Sequence, residues 1–263
     1  MNTKLPLPAG VDLKDLLEIL RFFCWGSADI LQAYARGDQP PFGFSRSFNV
    51  ENSAKGPVSS ADLAVNKWLI NGFRSKFQGV NWLVITEESI SQNSEKDKEV
   101  GSQWVWMIDP LDGTKDFIQR TGDYAMHLGL LYEGTPVLGI VLIPEAEELW
   151  IGGIGIGAWC ENRKGIKSDF SFGMRNEISE LILISSRNHR DRNFEKLFEG
   201  LSLGSRKIKG SVGCKIVSIL KGEADFYVSL SGESAPKDWD MAAPQALLMS
   251  AGGGFTHVDE TAL

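Results

Sequence analysis

The densest group of reactive side chains in this sequence lies in Asp109–Thr114, which reads Asp-Pro-Leu-Asp-Gly-Thr and follows an apolar stretch typical of a strand. Asp109 and Asp112 are three residues apart on a predicted tight turn, so both carboxylates can face one point. Pro110 fixes its own φ, and Gly113 permits a close approach of backbone. The amides of Gly113 and Thr114 can then point at an anion, as at a helix N-terminus.

This turn also fits a purely structural interpretation, in which the aspartates cap the start of a helix. An EF-hand calcium loop is excluded, because that loop needs carboxylates at alternate positions and a distant glutamate. A GxGxxA pattern at 153–158 lies inside a predicted strand region and fits tight turning better than a dinucleotide site. The turn at Asp109–Thr114 therefore remains the strongest candidate for chemistry.

Four more carboxylates stand at the ends of predicted elements. Glu87 and Glu88 follow a predicted strand, and Asp62 and Asp240 lie at predicted helix starts. Taken singly, the glutamates can be solvated loop charges and each aspartate can be an N-cap. Taken together, they suggest convergence on one cleft between the two halves of the chain.

Clustered carboxylates repel one another unless a cation neutralises them. Oxygen-only ligands favour Mg²⁺, Mn²⁺ or Ca²⁺ over Zn²⁺, and the sequence has no cluster of cysteine and histidine. Phosphate monoester hydrolysis needs accelerations of up to roughly 10²¹-fold, of which one general base supplies only about 10²–10⁴. Paired metal ions can activate water and stabilise the leaving oxygen, so a metal site is favoured over carboxylates alone.

The composition fits a globular enzyme. With 263 residues, 43% hydrophobic and 23% charged, disorder and collagen are excluded, and one large domain or two small ones are expected. A net charge of −7 argues against nucleic acid or an anionic membrane as partner. No apolar stretch approaches the roughly 20 residues of a membrane span. The N-terminus has no signal-peptide core, and three scattered cysteines form no disulfide framework, which predicts a cytoplasmic location.

Residue periodicity predicts an α/β fold with two parts. Residues 1–160 are expected to place helices on a mostly antiparallel sheet and to carry most of the acidic site. Residues 161–263 are expected to form a layered α/β domain. Loops are expected at 38–57 and 90–101. The predicted helices are 13–36, 60–77, 191–199, 212–221 and 240–251, and the predicted strands are 82–86, 104–108, a meander over 124–161, 181–184, 206–209, 226–229 and 255–258.

Separated motifs, in order and at matching distances, resemble the inositol monophosphatase superfamily of Mg²⁺-dependent, lithium-sensitive phosphatases. The motifs are Thr86–Ser89, Asp109–Thr114, Trp239–Pro244 and Ala251–Gly253, and the likeness spans about 10–258. Within the superfamily, Ser185–Asp191, Gly210–Ile216 and Lys237–Asp240 resemble most the 3′(2′),5′-bisphosphate nucleotidases, which act in sulfur metabolism. The resemblance implies a layered αβαβα sandwich of the sugar-phosphatase type.

The resemblance also implies roles for individual residues. Two or three Mg²⁺ ions would be held by Glu87, Asp109, Asp112, Asp240 and the Leu111 carbonyl. Asp62 and Thr114 would orient and deprotonate the attacking water. Ser186 and Ser211 stand where the animal nucleotidases more often have threonine and glycine. The implied substrate contacts are Gly113, Thr114, Ser186, His189, Ser211, Lys215 and Asp240.

The substrate implied by the resemblance is 3′-phosphoadenosine 5′-phosphate, or its sulfated form, with AMP or adenylyl sulfate as product. Inositol monophosphate or another sugar phosphate is the alternative in the same class, and a non-catalytic nucleotide- or metal-binding sensor is the alternative in another class. The sequence ends at Leu263, where the family usually continues, which predicts a short member or a missing C-terminal part. Family members are monomers or homodimers.

Overall fold

A computed structural model describes residues 4–53, 56–92, 102–187, 192–229 and 235–257. The helices are α1 (Leu13–Arg36), α2 (Ser60–Lys76), α3 (Glu87–Gln92), α4 (Thr114–Ile118), α5 (Arg192–Glu199), α6 (Val212–Leu220) and α7 (Asp238–Ser250). The strands are β1 (Val50–Ser53), β2 (Gly56–Ser59), β3 (Leu83–Thr86), β4 (Trp104–Asp112), β5 (Ala125–Tyr132), β6 (Thr135–Ile143), β7 (Glu148–Gly153), β8 (Gly157–Glu161), β9 (Lys167–Ser168), β10 (Ile182–Ser186), β11 (Ser205–Lys209) and β12 (Phe226–Tyr227).

The larger sheet has seven strands in the order β3-β4-β5-β6-β7-β8-β9. β3 and β4 run parallel, and each later pair of neighbours is antiparallel. The stretch from β5 to β8 is the meander predicted for 124–161, and that prediction is confirmed. Gly155, in the turn between β7 and β8, has a φ of 73°, which agrees with tight turning at the GxGxxA pattern.

Helices α1 and α2 pack together over one face of this sheet. Asp12 caps α1 by accepting hydrogen bonds from two backbone amides, and Gly37 ends it with a φ of 75°. Where the helices meet, a Cβ on Gly26 would lie 2.5 Å from the Trp68 ring. A glycine at that position therefore lets the two helices approach closely.

The opposite face of the large sheet carries α6 and α7. Three glycines, Gly129, Gly139 and Gly152, pair with one another across β5, β6 and β7 and form a row beneath α7. A Cβ on Gly139 would lie 2.1 Å from the Ala243 carbonyl oxygen, and one on Gly152 would lie 2.8 Å from the backbone of α7. The glycine row therefore allows the helix backbone to rest directly on the sheet.

A second sheet of three strands, in the order β11-β10-β12, is entirely parallel. Successive residues of β10 face opposite layers, because Ile184 joins the core around α6 and α7 while Leu183 packs with Phe194 and Phe198 of α5. The layers are therefore helices, large sheet, helices, small sheet and helix. This αβαβα arrangement confirms the predicted fold class. The division at residues 160 and 161 stays a prediction.

The structure corrects several element boundaries. The region predicted as a loop over 38–57 contains the antiparallel hairpin of β1 and β2, whose polar side chains carry no alternating pattern. Residues 87–92 form α3, since the Thr86 and Ser89 side chains each accept a hydrogen bond from the other residue's backbone amide. β4 continues through Asp112 instead of ending at 108. Within 255–257 no strand forms apart from one bridge residue, and Val258 lies outside the described residues.

None of the helices in the described part of the chain combines the length and apolar character needed to cross a membrane.

Candidate metal and phosphate site

Asp109 and Asp112 lie at the end of β4, where the pairing with β5 is interrupted. Asp109 stands opposite His127 and Asp112 opposite Ala125, so β4 has one more residue than β5 between these pairs. Such a bulge re-aims side chains at the end of a strand. The Leu111 amide donates a hydrogen bond of 2.9 Å to Asp109 Oδ1 and helps to fix that side chain.

Gly113 connects β4 to the short helix α4. Its φ is 91°, in the left-handed region, and a Cβ at this position would lie 2.9 Å from the Asp123 carbonyl oxygen. Residue 113 therefore has to be a glycine for both conformational and steric reasons. Thr114 follows as the first residue of α4, with its side chain beside the acidic residues.

Asp240 reaches the same place from the first turn of α7. The backbone amide of Lys237 donates a hydrogen bond of 2.6 Å to Asp240 Oδ2. Asp109, Asp112 and Asp240 each offer a carboxylate oxygen, and these oxygens all lie within 4.8 Å of one another. The structure therefore brings together three of the predicted metal ligands, which we call the acidic triad.

Glu87, at the start of α3, lies close enough to the acidic triad for its pKa to be raised by the charges of Asp240 and Asp112. Burial, followed by the nearby charges of Asp240, Glu88 and Asp62, raises the pKa of Glu87 to about 8. Burial and then the charges of Glu87 and Asp240 raise the pKa of Asp109 well above its usual range. Burial and Asp112 raise the pKa of Asp240 to about 6. Without a cation, Glu87 and Asp109 retain protons near neutral pH, whereas Asp240 gains its proton only near pH 6.

This donor set fits a hard divalent cation. Asp109, Asp112 and Asp240 offer oxygen atoms alone, which are the ligands that Mg²⁺ and Ca²⁺ prefer. A bound cation would relieve both the repulsion and the desolvation that now raise the pKa of Asp109 and Asp240. Glu87 interacts electrostatically with these residues, although its carboxyl group lies outside the acidic triad.

Asp62 and Thr114 form a hydrogen-bonded pair beside the acidic triad. The Thr114 hydroxyl lies 2.9 Å from Asp62 Oδ1 and 3.1 Å from the carbonyl oxygen of Leu111. The amide and hydroxyl of Ser59 hold the other oxygen of Asp62, at 2.8 and 2.5 Å, in the capping box of α2. Burial raises the pKa of Asp62 to about 6. This carboxylate is therefore fixed in direction and can accept a proton near neutral pH.

Comparison with known proteins agrees with this geometry. The sequence model of the inositol monophosphatase family matches residues 13–263. The chain belongs to the inositol monophosphatase family. Family membership makes it a phosphoric monoester hydrolase, which confirms both the predicted resemblance and the predicted class of enzyme.

Individual members of the family are similar over most of the chain. The 3′(2′),5′-bisphosphate nucleotidase CysQ of Salmonella typhimurium is 30% identical over 201 residues, 74% of each chain. A fructose-1,6-bisphosphatase/inositol-1-monophosphatase of Aquifex aeolicus is 31% identical over 163 residues, 61% of this chain and 60% of its own. A solved IMPase/NADP phosphatase complexed with Mg²⁺ and phosphate superposes with a TM-score of 0.75 at 18% identity, over 95% of this chain and 87% of its own.

In this family member, the predicted substrate residues Ser186 and Lys215 lie next to each other. Lys215 is only 1% exposed, and its Nζ donates to Ser186 Oγ at 3.0 Å and to the Gly210 carbonyl at 2.7 Å. Its ammonium also lies 4.9 Å from the centre of the Tyr227 ring. Burial lowers the pKa of Lys215. His189, the remaining predicted contact in this region, lies outside the described residues.

Ser211 is fully buried and contacts an acidic-triad residue. Its hydroxyl donates a hydrogen bond of 2.6 Å to Asp112 Oδ2 and accepts one from the Cys214 amide as the N-cap of α6. The structure therefore shows Ser211 behind a predicted metal ligand. Its predicted contact with substrate stays a prediction.

The sequence did not reveal the role of His127 or Tyr227. Among the described residues, neither ring nitrogen of His127 has a well-aligned hydrogen bond. Its Nε2 lies 3.3 Å from Asp112 Oδ2, and its imidazole is fully buried. The one indication of a role for His127 is its position on β5 opposite Asp109, and this is known only once the strand register is known. Tyr227, beneath Lys215, carried no motif that could have revealed it.

Proposed function

We propose that this chain is a Mg²⁺-dependent phosphatase that removes the 3′(2′)-phosphate from 3′(2′)-phosphoadenosine 5′-phosphate, or from its sulfated form. The products would be phosphate and AMP, or adenylyl sulfate. The observation that carries the proposal is the meeting of Asp109, Asp112 and Asp240 beside the fixed Asp62–Thr114 pair. That arrangement supplies both a cation site and a base for water.

Five groups are proposed to hold two or three Mg²⁺ ions: the carboxylates of Glu87, Asp109, Asp112 and Asp240 and the carbonyl of Leu111. When bound, Mg²⁺ would activate the attacking water and stabilise charge on the leaving oxygen. Because the chain carries a net charge of −7, bound cations would also make the site attractive to an anionic phosphate. Family membership and the Mg²⁺ in a solved relative support this assignment.

Asp62 and Thr114 are proposed to orient the water and take its proton. Thr114 donates its hydroxyl proton to Asp62 Oδ1 at 2.9 Å, which leaves the Thr114 oxygen able to accept from water. The proton of water would pass to Thr114 as the hydroxyl proton passes to Asp62. The pKa of Asp62, about 6, suits a base that works near neutral pH. The oxygen of water forms the new bond to phosphorus as the bond from phosphorus to the ester oxygen breaks, and the leaving ester oxygen takes a proton from bulk water.

The substrate assignment depends on Lys215, whose ammonium group is buried beside the site. Lys215 and Ser186 are proposed to contact the nucleotide and its second phosphate, together with Gly113, Thr114, His189, Ser211 and Asp240. Similarity to the Salmonella nucleotidase supports a nucleotide carrying two phosphates. The Aquifex relative supports the alternative of inositol monophosphate or another sugar phosphate.

Replacing Lys215 tests the proposed contact with the second phosphate. Lys215→Met keeps much of the buried stem but removes the charge, so the KM for the bisphosphate should rise by roughly 10- to 100-fold, the value of one charge-assisted hydrogen bond. The KM for a monophosphate should change much less. Equal increases for both substrates would contradict a contact with the second phosphate.

A phosphate-release panel tests the proposed function as a whole. The substrates are 3′-phosphoadenosine 5′-phosphate, inositol monophosphate and fructose 1,6-bisphosphate, each with Mg²⁺, with EDTA and with added lithium. We expect Mg²⁺-dependent and lithium-sensitive release, fastest from the bisphosphate nucleotide. Preference for inositol monophosphate would favour the alternative substrate. Binding without turnover of any substrate would favour a nucleotide or metal sensor. A place in sulfur metabolism and a cytoplasmic location are part of the proposal, as is a monomeric or homodimeric state.

A further inference from the structure

The two oxygens of the Asp112 carboxylate differ in their contacts with the protein. Ser211 Oγ at 2.6 Å, the Gly213 amide at 3.0 Å and His127 Nε2 at 3.3 Å all approach Oδ2. Within the described ranges, Oδ1 has no hydrogen bond or ion pair. One oxygen of this carboxylate is therefore occupied by protein groups, and the other is available to a ligand.

Two of these groups are fixed by α6. Ser211 accepts a hydrogen bond of 3.1 Å from the Cys214 amide, so its single proton is directed to Asp112. Gly213 carries no side chain at a point where a Cβ would lie 2.3 Å from His127 Nε2 and 2.9 Å from Val141. The missing side chain lets the amide and the imidazole approach the same oxygen.

His127 completes the arrangement from β5. Its side chain is fully buried and has no polar contact with solvent. Burial lowers the pKa of the imidazole. Its Nε2 lies 3.3 Å from Asp112 Oδ2, so the ring can support this oxygen when its N–H is on Nε2.

We propose that Ser211, Gly213 and His127 form a clamp, the Asp112 clamp, that holds Oδ2 in the protein and presents Oδ1 to the divalent cation. The three are positioning residues, because they act through Asp112. Groups that orient metal ligands in this way typically contribute about 10- to 100-fold to metal affinity. This inference rests on the proposed function, since it assumes that Asp112 binds the cation.

Paired substitutions test the clamp in the full-length protein. Ser211→Ala and His127→Leu remove a donor while keeping similar volume, whereas Ser211→Thr and His127→Gln keep one at similar reach. Ser218→Ala, a buried position further along α6, is the matched control. The Mg²⁺ dissociation constant is measured by isothermal titration calorimetry and by the Mg²⁺-dependent shift in Tm, with phosphate release as a separate measurement.

The clamp predicts that Ser211→Ala and His127→Leu weaken Mg²⁺ binding by about 10- to 100-fold, while Ser211→Thr, His127→Gln and the control stay within about threefold of wild type. Raising Mg²⁺ should restore much of the lost kcat. If the donor-removing variants lower the metal-free Tm but bind Mg²⁺ like wild type, the three groups are merely structural and the inference is wrong. If His127→Leu does not fold, Ser211→Ala decides in the same way.

Asp109→Asn separates this inference from the proposed function. If wild type binds Mg²⁺ and Asp109→Asn does not, the metal site is supported whatever the clamp variants do. Wild type that shows no Mg²⁺ binding overturns the proposed function and the clamp together. If Ser211→Ala and His127→Leu both bind Mg²⁺ with wild-type affinity, the clamp alone is overturned.

Discussion

Among the described residues, two groups of acidic side chains differ in their partners: one is paired with arginine and lysine side chains, and the other, the acidic triad, is not. In the paired cluster, Asp116 accepts from Arg187 at 2.7 Å, and Asp123 accepts from Lys209 at 2.9 Å and also from Arg187. In the acidic triad, the charges that act most strongly on Asp109 are those of other carboxylates. The side chains of Asp109 and Asp116 are similarly buried, so burial alone does not distinguish the two clusters.

The difference identifies which acidic cluster is built for a ligand. Arg187 connects α4 with the end of β10, and Lys209 connects Asp123, which follows α4, with the end of β11. The paired cluster is therefore part of the framework. Leaving the carboxylates of the acidic triad without such partners destabilises the protein, and a cation can relieve this. Substitutions in the two clusters should therefore have different consequences.

The largest effect is expected from Asp109→Asn. Losing this carboxylate should reduce kcat/KM by about 10³-fold or more, since each 1.36 kcal/mol of lost transition-state stabilisation is a factor of ten. The metal-free variant should be at least as stable as wild type, because a buried and repelled carboxyl group has been removed. Phosphate release and Tm without Mg²⁺ check these two outcomes. Full activity would reject the assignment of the acidic triad.

A smaller effect on stability and Mg²⁺ affinity is expected from a change of pH between about 6 and 8. This window is set by the pKa values of Asp62 and Asp240, about 6, and of Glu87, about 8. These folded-state pKa values are raised, so the metal-free protein binds more protons than the unfolded chain and loses stability as pH rises through them. Mg²⁺ must displace these protons, so its affinity should increase with pH, by up to about tenfold per unit for each proton released. Thermal shifts with and without Mg²⁺ at pH 6, 7 and 8 measure both trends. Parallel curves would contradict coupling between protons and the cation.

A substitution in the paired cluster should change the stability of the protein and not its activity. Asp123→Asn leaves Arg187 and Lys209 without their shared acceptor, and should lower the free energy of unfolding by about 1–2 kcal/mol, between exposed and buried ion pairs. Urea denaturation measures this loss. Mg²⁺ affinity should stay close to wild type. A loss of Mg²⁺ binding as large as that of Asp109→Asn would remove the distinction between the clusters.

The smallest effect is expected at an exposed ion pair far along the chain from both clusters. Asp29 and Arg163 are 2.7 Å apart with side chains 41% and 39% exposed. Asp29→Asn should change the free energy of unfolding by less than about 0.5 kcal/mol and leave phosphate release unaltered. The variant is therefore a reference for both clusters in the same denaturation and activity assays.

Local signals predicted the helices well. The expected range 13–36 coincides with α1, because the apolar stripe, the Asp12 cap and the Gly37 stop all lie in neighbouring residues. The hairpin of β1 and β2 was missed because its polar strands have no hydrophobic alternation. The start of α3 carried a usable signal in the reciprocal pairing of Thr86 and Ser89.

The site was only partly predictable, because its parts are distant in sequence. Asp109 and Asp112 were identified from their spacing, but the contribution of Asp240 was implied mainly by resemblance. The contact between Thr114 and Asp62 joins residues 52 positions apart. The contact of His127 with Asp112 depends on strand register and on the absence of a side chain at Gly213, which no local pattern encodes.

The glycine row beneath α7 has a consequence for how this enzyme can diverge. Since the backbone of α7 touches Gly139 and Gly152 directly, the path from the sheet to Asp240 contains few adaptable side chains. Changes in the outermost helices can then accumulate without altering the distance between Asp240 and Asp109. The position of Asp240 over the sheet is therefore set by contact between two backbones, and a side chain at residue 139 or 152 would change it.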